Sequence, residues 1–518
     1  PTSDPAPLTL AASPGAKAND LRDLVGLARG HEEGGRLEQA TRLYLEAAEA
    51  GEPRAMARLA AIYDLGSGGA RDPAAALRWA RLAAKAGNPE GQFLLGELLG
   101  LGRGVERDEA QALVWYRAAA EGGSLAAMSS LGLHYERGDP VEARRWFRRA
   151  AEAGDAQAML NLSALLLRDL GLERGSEEAL RWLEASAEAG QPTAMTRLAE
   201  HYFGAEGSER DLVAAAKWYR KGAEAGQAQA MTQLGQHYEK GLGLEKNFPE
   251  AVRWYRAGAE AGDIQSMRQL GLLHSTGEHA DLPPAGAVGW FQRAAKAGDP
   301  IAMTNLGILL YAGKGVELDV AGGLKWLRAG AQAGDAAGML FLGEIYQEGR
   351  NLKRDYAEAA AWFRRAAERG EPRALTALGM LYAKGLGQER NPTEAARLFR
   401  LAVAAGDAAG MAALAALLLS GEGVERNVAA AGILYRQAAE AGNPAGMRCL
   451  GLLLFTSGGG IKQDLVEAVA WLAKAAARGD SIAMTNLGLA YQRGRGIEKN
   501  LELALRWYRR AADLGNAR

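Results

Sequence analysis

The chain of 518 residues has a single cysteine, Cys449. Internal disulfides are excluded, and so few thiols suit either the cytosol or the bacterial envelope. An excess of one charge is also missing. Lys plus Arg number 61 and Asp plus Glu 62, which leaves no overall electrostatic footprint for nucleic acid or an anionic membrane. No run approaches the ~20 apolar residues needed to cross a bilayer, so direct membrane insertion is not expected. Catalytic signatures are absent as well: there is no H-E-x-x-H, G-x-S-x-G, S-x-x-K or G-x-x-x-x-G-K-[ST]. The glycine runs at Gly100, Gly102, Gly104 and at Gly241, Gly243 follow no strand and read as turns rather than a nucleotide loop.

What is present is one pattern, seen most clearly over residues 227–262, QAQAMTQLGQHYEKGLGLEKNFPEAVRWYRAGAEAG. Met231, Leu234, Gly235 and Tyr238 line one face of a first helix, and Ala251, Trp254, Tyr255 and Gly258 one face of a second. Gly241 and Gly243 permit positive φ in the turn between them. Asn247 stands at an N-cap, with Glu250 three residues on as the partner in a capping box. Gly262 reads as a C-cap, and Asp263 can cap the next helix. One such hairpin cannot bury its own apolar stripes; it needs copies on both sides.

The copies are in the chain, mostly 36 residues apart. Eleven of the twelve Met share the Met231 position, all thirteen copies carry Leu three residues later, and Gly, Ala or Ser always follows. A small residue there lets two helices approach closely. All eleven Trp occupy one second-helix position, which marks that slot as core rather than as a binding residue. His134, His201 and His237 also share one position, but zinc needs its ligands ~2 Å from one ion and usually a Cys or carboxylate among them, so no metal or other cofactor is expected. Cys449 reads as a small packing residue.

The pattern A-x-x-x-L-G-x-x-Y-x-x-G-x-G-V-x-x-D/N-x-x-x-A-x-x-W-Y-x-x-A-A-x-x-G resembles the Sel1-like repeat, a variant of the tetratricopeptide hairpin. The resemblance covers residues 52–518 as thirteen repeats, with a degenerate hairpin over 20–51 (Leu24, Leu43, Tyr44, Gly51) as a fourteenth unit. It implies an all-α fold: a right-handed α-solenoid, or superhelix, of about fourteen helix-turn-helix repeats of ~36 residues, one continuous unit whose first helices line a concave surface. The single cysteine departs from the disulfide-stapled branch of the family, so no activity is carried over from that branch.

In chain order, residues 1–19 hold four prolines and no apolar periodicity, and are expected to be a flexible leader. Without an initiator Met or a signal peptide, the chain reads as a processed mature form or a trimmed one. Four irregularities follow: the short step at Gly138, Asp139 and Pro140; Leu165 to Leu167 with the altered turn RDLGLERGSEE; His274 in place of Tyr, with a turn ending at Pro284; and an extra residue near Gly458, Gly459 and Gly460. Each either adjusts curvature or makes a binding loop. At the end of the chain the Trp507 face has no following repeat to cover it, which leaves room for an oligomer contact.

Positions one, five and eight residues after each Met form the stripe expected to face the groove. Around residues 195–240 this stripe is polar: Thr196, Glu200, Thr232, Gln236 and Glu239. From about residue 300 it turns apolar, with Ile308, Tyr311, Leu340, Met380, Leu419, Leu452 and Phe455, and with Phe341 close by. These residues either fill ridges between helices or mark a partner site. The reading that follows is a non-enzymatic scaffold holding a protein or peptide partner, with no nucleic acid. Family resemblance implies a periplasmic or secreted place in the bacterial envelope, with the cytoplasm second, and as an alternative role an immunity protein that neutralises a toxic effector. A hydrolase-like enzyme is the third reading; it requires a pocket of perturbed titratable groups in the groove.

Overall fold

A computed structural model describes residues 18–67, 69, 71–169, 177–204, 211–277, 281–456 and 461–515. Outside it lie residues 1–17 of the expected leader, residues 170–176 of the altered turn, 278–280, Gly458 to Gly460 and 516–518. The described residues form 28 helices and no strand. The chain is an α-solenoid of about fourteen hairpins. It divides into two compact units, Pro1–Ala261 and Gly262–Arg518.

The caps explain where the helices start. In the hairpin of Ala228–Lys240 and Phe248–Glu260, Asn247 Oδ1 accepts from the Glu250 amide at 3.1 Å. The expected capping box is only half formed. The Asn247 amide donates to Tyr238 O at 2.9 Å, and the Glu250 carboxylate pairs with Arg253 at 3.1 Å instead of reaching back.

Within the hairpin the small residue does what its position implies. A Cβ on Gly235 would stand 2.6 Å from the Tyr255 ring, and one on Gly343 or Gly379 would be 2.5 Å from Phe363 or Phe399. Tyr255 and Phe363 are fully buried as a result. Tryptophan sits one residue earlier, at the margin of the core. Trp146 and Trp362 are buried and the other nine half-buried, with Trp79, Trp182, Trp218, Trp254, Trp471 and Trp507 packed against the clusters between hairpins. Several indoles also carry a basic side chain three residues on, such as Lys474 4.0 Å from the Trp471 ring centroid. At the last hairpin, Leu505 is 48% exposed where its counterparts Val252 and Val469 are 7% and 6% exposed.

The hairpins stack unevenly. In the first unit, the first helix Pro53–Leu65 packs on the next first helix, Pro89–Leu101. In the second unit, Pro372–Lys384, Ala408–Ser420 and Pro444–Phe455 pack in series. No two second helices of successive hairpins pack comparably. Where successive hairpins touch beyond their adjoining helices, among the described residues, they do so through first helices, and that side is taken as the inner wall.

The degenerate hairpin, Ala18–Glu33 with Leu37–Glu49, is tied on by Glu32. Tyr44 Oη donates to Glu32 Oε2 at 2.9 Å and Arg58 Nε donates to both carboxylate oxygens at 3.0 Å. The Arg58 hydrogen bond holds the Glu32 carboxyl below its ordinary value, against the opposing effect of burial. Burial, with help from Glu32, pushes Tyr44 up to about 12. A depressed carboxyl contributes stability that is complete above its ordinary value and is lost as pH falls through the folded one. The protection of Ala18–Glu33 against amide exchange, relative to the intrinsic rate, should therefore fall selectively below about pH 4. Arg58→Ala should remove that selectivity.

Candidate functional site

The inner wall can be read hairpin by hairpin. Several residues one after Met, expected in the groove, are instead buried: Thr196, Thr232, Thr304, Leu340 and Thr376, with Thr196 and Thr304 close against Gly222 and Gly330 of the second helix that follows. Some residues at this position tie the next hairpin to their own. Thr376 Oγ1 donates to Asp407 Oδ2 at 2.6 Å, Ser129 Oγ to Asp155 Oδ2 at 2.9 Å, and Arg448 Nε to Asp480 Oδ2 at 3.0 Å. Each of these aspartates also caps its own helix. Leu340 thus belongs to the packing between helices and is unavailable to a partner.

The position eight after Met is mixed. Tyr311 is buried and its hydroxyl donates to Arg350 O at 2.6 Å, so it too is structural. Glu239 accepts from Tyr255 Oη at 2.6 Å. Leu419 and Phe455 are half-buried, with Arg495 5.3 Å from the Phe455 ring centroid. Five after Met the side chains reach the wall: Glu200 is exposed, Met380 is 41% exposed, and Gln236, Ile308 and Leu452 are half-buried. Phe341 is half-buried, its ring edge-on to Tyr311 at 6.1 Å.

Two wall positions escaped the sequence reading, those two residues before and two after each Met. Ile301 and Ile482, two before Met303 and Met484, are 43% and 48% exposed. The signal for them was in the repeat: a position that varies freely among Arg, Glu, Gln, Ala and Ile is not core.

The two units present different walls. In the first, most hairpins place polar or charged side chains there, including Arg58, Glu97, Arg197, Glu200, Gln233 and Gln236, with Leu133, 56% exposed, as the apolar exception, and Gln229 Nε2 donates to Glu200 Oε1 at 2.8 Å. In the second, the positions two before, two after and five after Met, from Ile301 to Leu489, hold one Glu and one Arg. These are Glu344 and Arg373, which pair at 2.9 Å.

Burial pushes the carboxyls of Glu97, Glu200 and Glu344 above the ordinary range, opposed by Arg103, Arg197 and Arg373 respectively. Glu200 moves this way although its side chain as a whole is open to solvent. Glu97 also feels the carboxylate of Asp64, and Glu344 those of Glu348 and Glu371, while Leu133 and Ala164 occupy the equivalent position between Glu97 and Glu200. Glu97, Glu200 and Glu344 lie on three separate first helices, Pro89–Leu101, Pro192–Gly204 and Ala336–Glu348. No group of three or more metal-ligating side chains occurs among the described residues. His237 is buried with its ring against Phe203 and Tyr219, and its Nδ1 lies 2.6 Å from Leu242 O. His274, in the slot of a Tyr, is buried with Nδ1 2.8 Å from Pro283 O, where it holds its turn. No described helix is long and apolar enough to cross a membrane.

The family model described as Sel1 repeat matches thirteen consecutive segments, from residues 53–88 to 481–516. The chain belongs to the Sel1 repeat family. Its Sel1 repeats are similar in structure to c5321, a protective antigen present in uropathogenic Escherichia coli strains and displaying an SLR fold. Identity there is 28%, TM-score 0.65, covering 91% of this chain and 94% of that one. A Sel1 repeat protein from Oxalobacter formigenes is 28% identical with TM-score 0.46, over 60% of this chain and 93% of that one. The immunity protein Pa5087 from Pseudomonas aeruginosa is 22% identical with TM-score 0.30, over 42% of this chain and 84% of that one; that likeness extends to the fold alone. Among curated proteins no match was found. Sel1 repeats of this kind typically form scaffolds for protein–protein interaction.

Proposed function

We propose that this Sel1 repeat chain is a non-catalytic scaffold that holds a protein or peptide partner on the inner wall of residues 262–518. The observation that carries the reading is the contrast between the two walls. Hairpins built to one plan keep that surface mostly polar in one unit, Leu133 apart, and make it apolar over six consecutive first helices in the other. A continuous apolar surface is costly to leave in water and is the usual mark of an interaction site. A place in the bacterial envelope, periplasmic or secreted, belongs to the same proposal. It is suggested by the likeness to c5321, a protective antigen of uropathogenic Escherichia coli strains.

The test is capture of a partner from the native host with the complete chain as bait. Phe341→Asp and Met380→Asp together should lower capture at least ~10-fold, as expected for residues at the centre of an interface. Helicity should be unchanged, because neither side chain is fully buried. Gln233→Asp, on the polar wall, should have no effect. Undiminished capture by the double variant would refute the placement.

A further inference from the structure

The apolar wall also restricts the form its occupant can take. We propose that the occupant is an amphipathic α-helix of a partner protein, laid along the wall with an uncharged face inward; this rests on the reading that the wall binds protein. The first reason is backbone hydrogen bonding. Asn305 Nδ2 donates to Ile301 O at 3.0 Å, Asn486 Nδ2 donates to Ile482 O at 2.8 Å, and Glu344 and Arg373 hold each other. The wall's few polar groups are thus turned to their own helices or to one another. An extended peptide pressed against such a surface would lose water from its amides and carbonyls and find little to replace it. A helix satisfies those groups internally.

Charge complementarity points the same way. At the positions two before, two after and five after Met, the charged residues over six helices are Glu344 and Arg373, which pair with each other; those positions supply no counter-charge for a buried Lys or Asp, so the face laid on them must be neutral. The spacing fits as well. Packed helices lie ~8–10 Å apart, and seven residues of a helix advance about 10.5 Å. Apolar side chains at i and i+7 would therefore meet equivalent positions on neighbouring hairpins. Ala377, Ala413 and Ala416 leave room for bulky side chains there, between Phe341 on one side and Leu452 on the other.

The experiment is a fluorescence-anisotropy titration of the complete chain with three labelled 21-residue peptides of identical composition. One carries Leu and Ala at helical spacing with Lys and Glu on its other face. The second has the same pattern interrupted by a central Pro, whose counterpart in the first lies at its terminus. The third alternates apolar and polar residues. The helical peptide should bind at least ~10-fold more tightly than the other two, as a helix-in-groove mode requires. Met380→Glu and Ala416→Glu should each weaken it by ~10-fold or more, and Gln236→Glu by less than ~2-fold. Equal binding of the alternating peptide, still lost in Met380→Glu, would overturn the helix and leave the wall as a binding site. Failure of all three peptides to bind would also overturn it, while partner capture sensitive to Met380→Asp would keep the scaffold reading. Binding of the helical peptide that both wall variants leave intact would overturn the location.

Discussion

Gly243→Ala should destabilise the first unit by about 2–5 kcal/mol, from a left-handed backbone and a clash together. Gly243 has φ of +66°, and a Cβ there would lie 2.0 Å from Leu212 O, at the start of the preceding second helix. That oxygen is backbone, so no side-chain rotation relieves the contact. Gly241→Ala is the control. Its φ is +71°, but an added Cβ meets nothing closer than 3.5 Å, so only the conformational cost of about 1 kcal/mol remains. Urea titration, with amide exchange followed in Leu212–Glu224 and Ala228–Lys240, should separate the two variants. Equal losses would show that the close approach is not what selects glycine here. The same approach recurs at Gly387 over Tyr356, Gly423 over Pro392 and Gly496 over Leu465. The second glycine of the turn is thus where one hairpin seats on another.

Asp299→Ala should lower the stability of the second unit by about 3 kcal/mol. Asp299 Oδ1 accepts from the Ala302 amide at 2.6 Å as an N-cap, and Oδ2 pairs with Arg268 Nη1 of the preceding hairpin at 2.5 Å. The side chains are 8% and 22% exposed. Losing the cap costs ~0.5–2 kcal/mol. Removing one partner of a buried pair costs ~3–5 kcal/mol, reduced here because Arg268 can recover some water. Asp335→Ala isolates the cap: Asp335 Oδ2 accepts from the Gly338 amide at 2.9 Å, and the residue one after the preceding Met is Thr304, whose hydroxyl has no hydrogen-bond partner. Its loss should stay near 1 kcal/mol. Chemical denaturation of both variants checks the difference. Because a solenoid is held by nearest-neighbour contacts, exchange should rise first in Ile264–Thr276 and Pro300–Ala312.

The sequence by itself determined the hairpin, its period and its core. Met231, Leu234, Gly235 and Tyr255 read as apolar and small positions at helical spacing, and local helix geometry places such residues on one face whatever surrounds them. Glycine turns and Asp or Asn caps were legible for the same reason: their chemistry acts within a few residues of chain. The flank of each first helix was not legible. One and two residues after Met differ by about 100° around the axis. Which of them meets the next hairpin depends on the first helices packing on one another more closely than the second helices do. That is why Leu340 and Tyr311 proved structural, while Ile301 and Ile482 reached the wall. It is also why the box at Glu250 stayed half made, since the Asn247 amide was already taken by Tyr238 O from the preceding helix. Only tertiary structure decides such contests, because the competing partners lie on different helices.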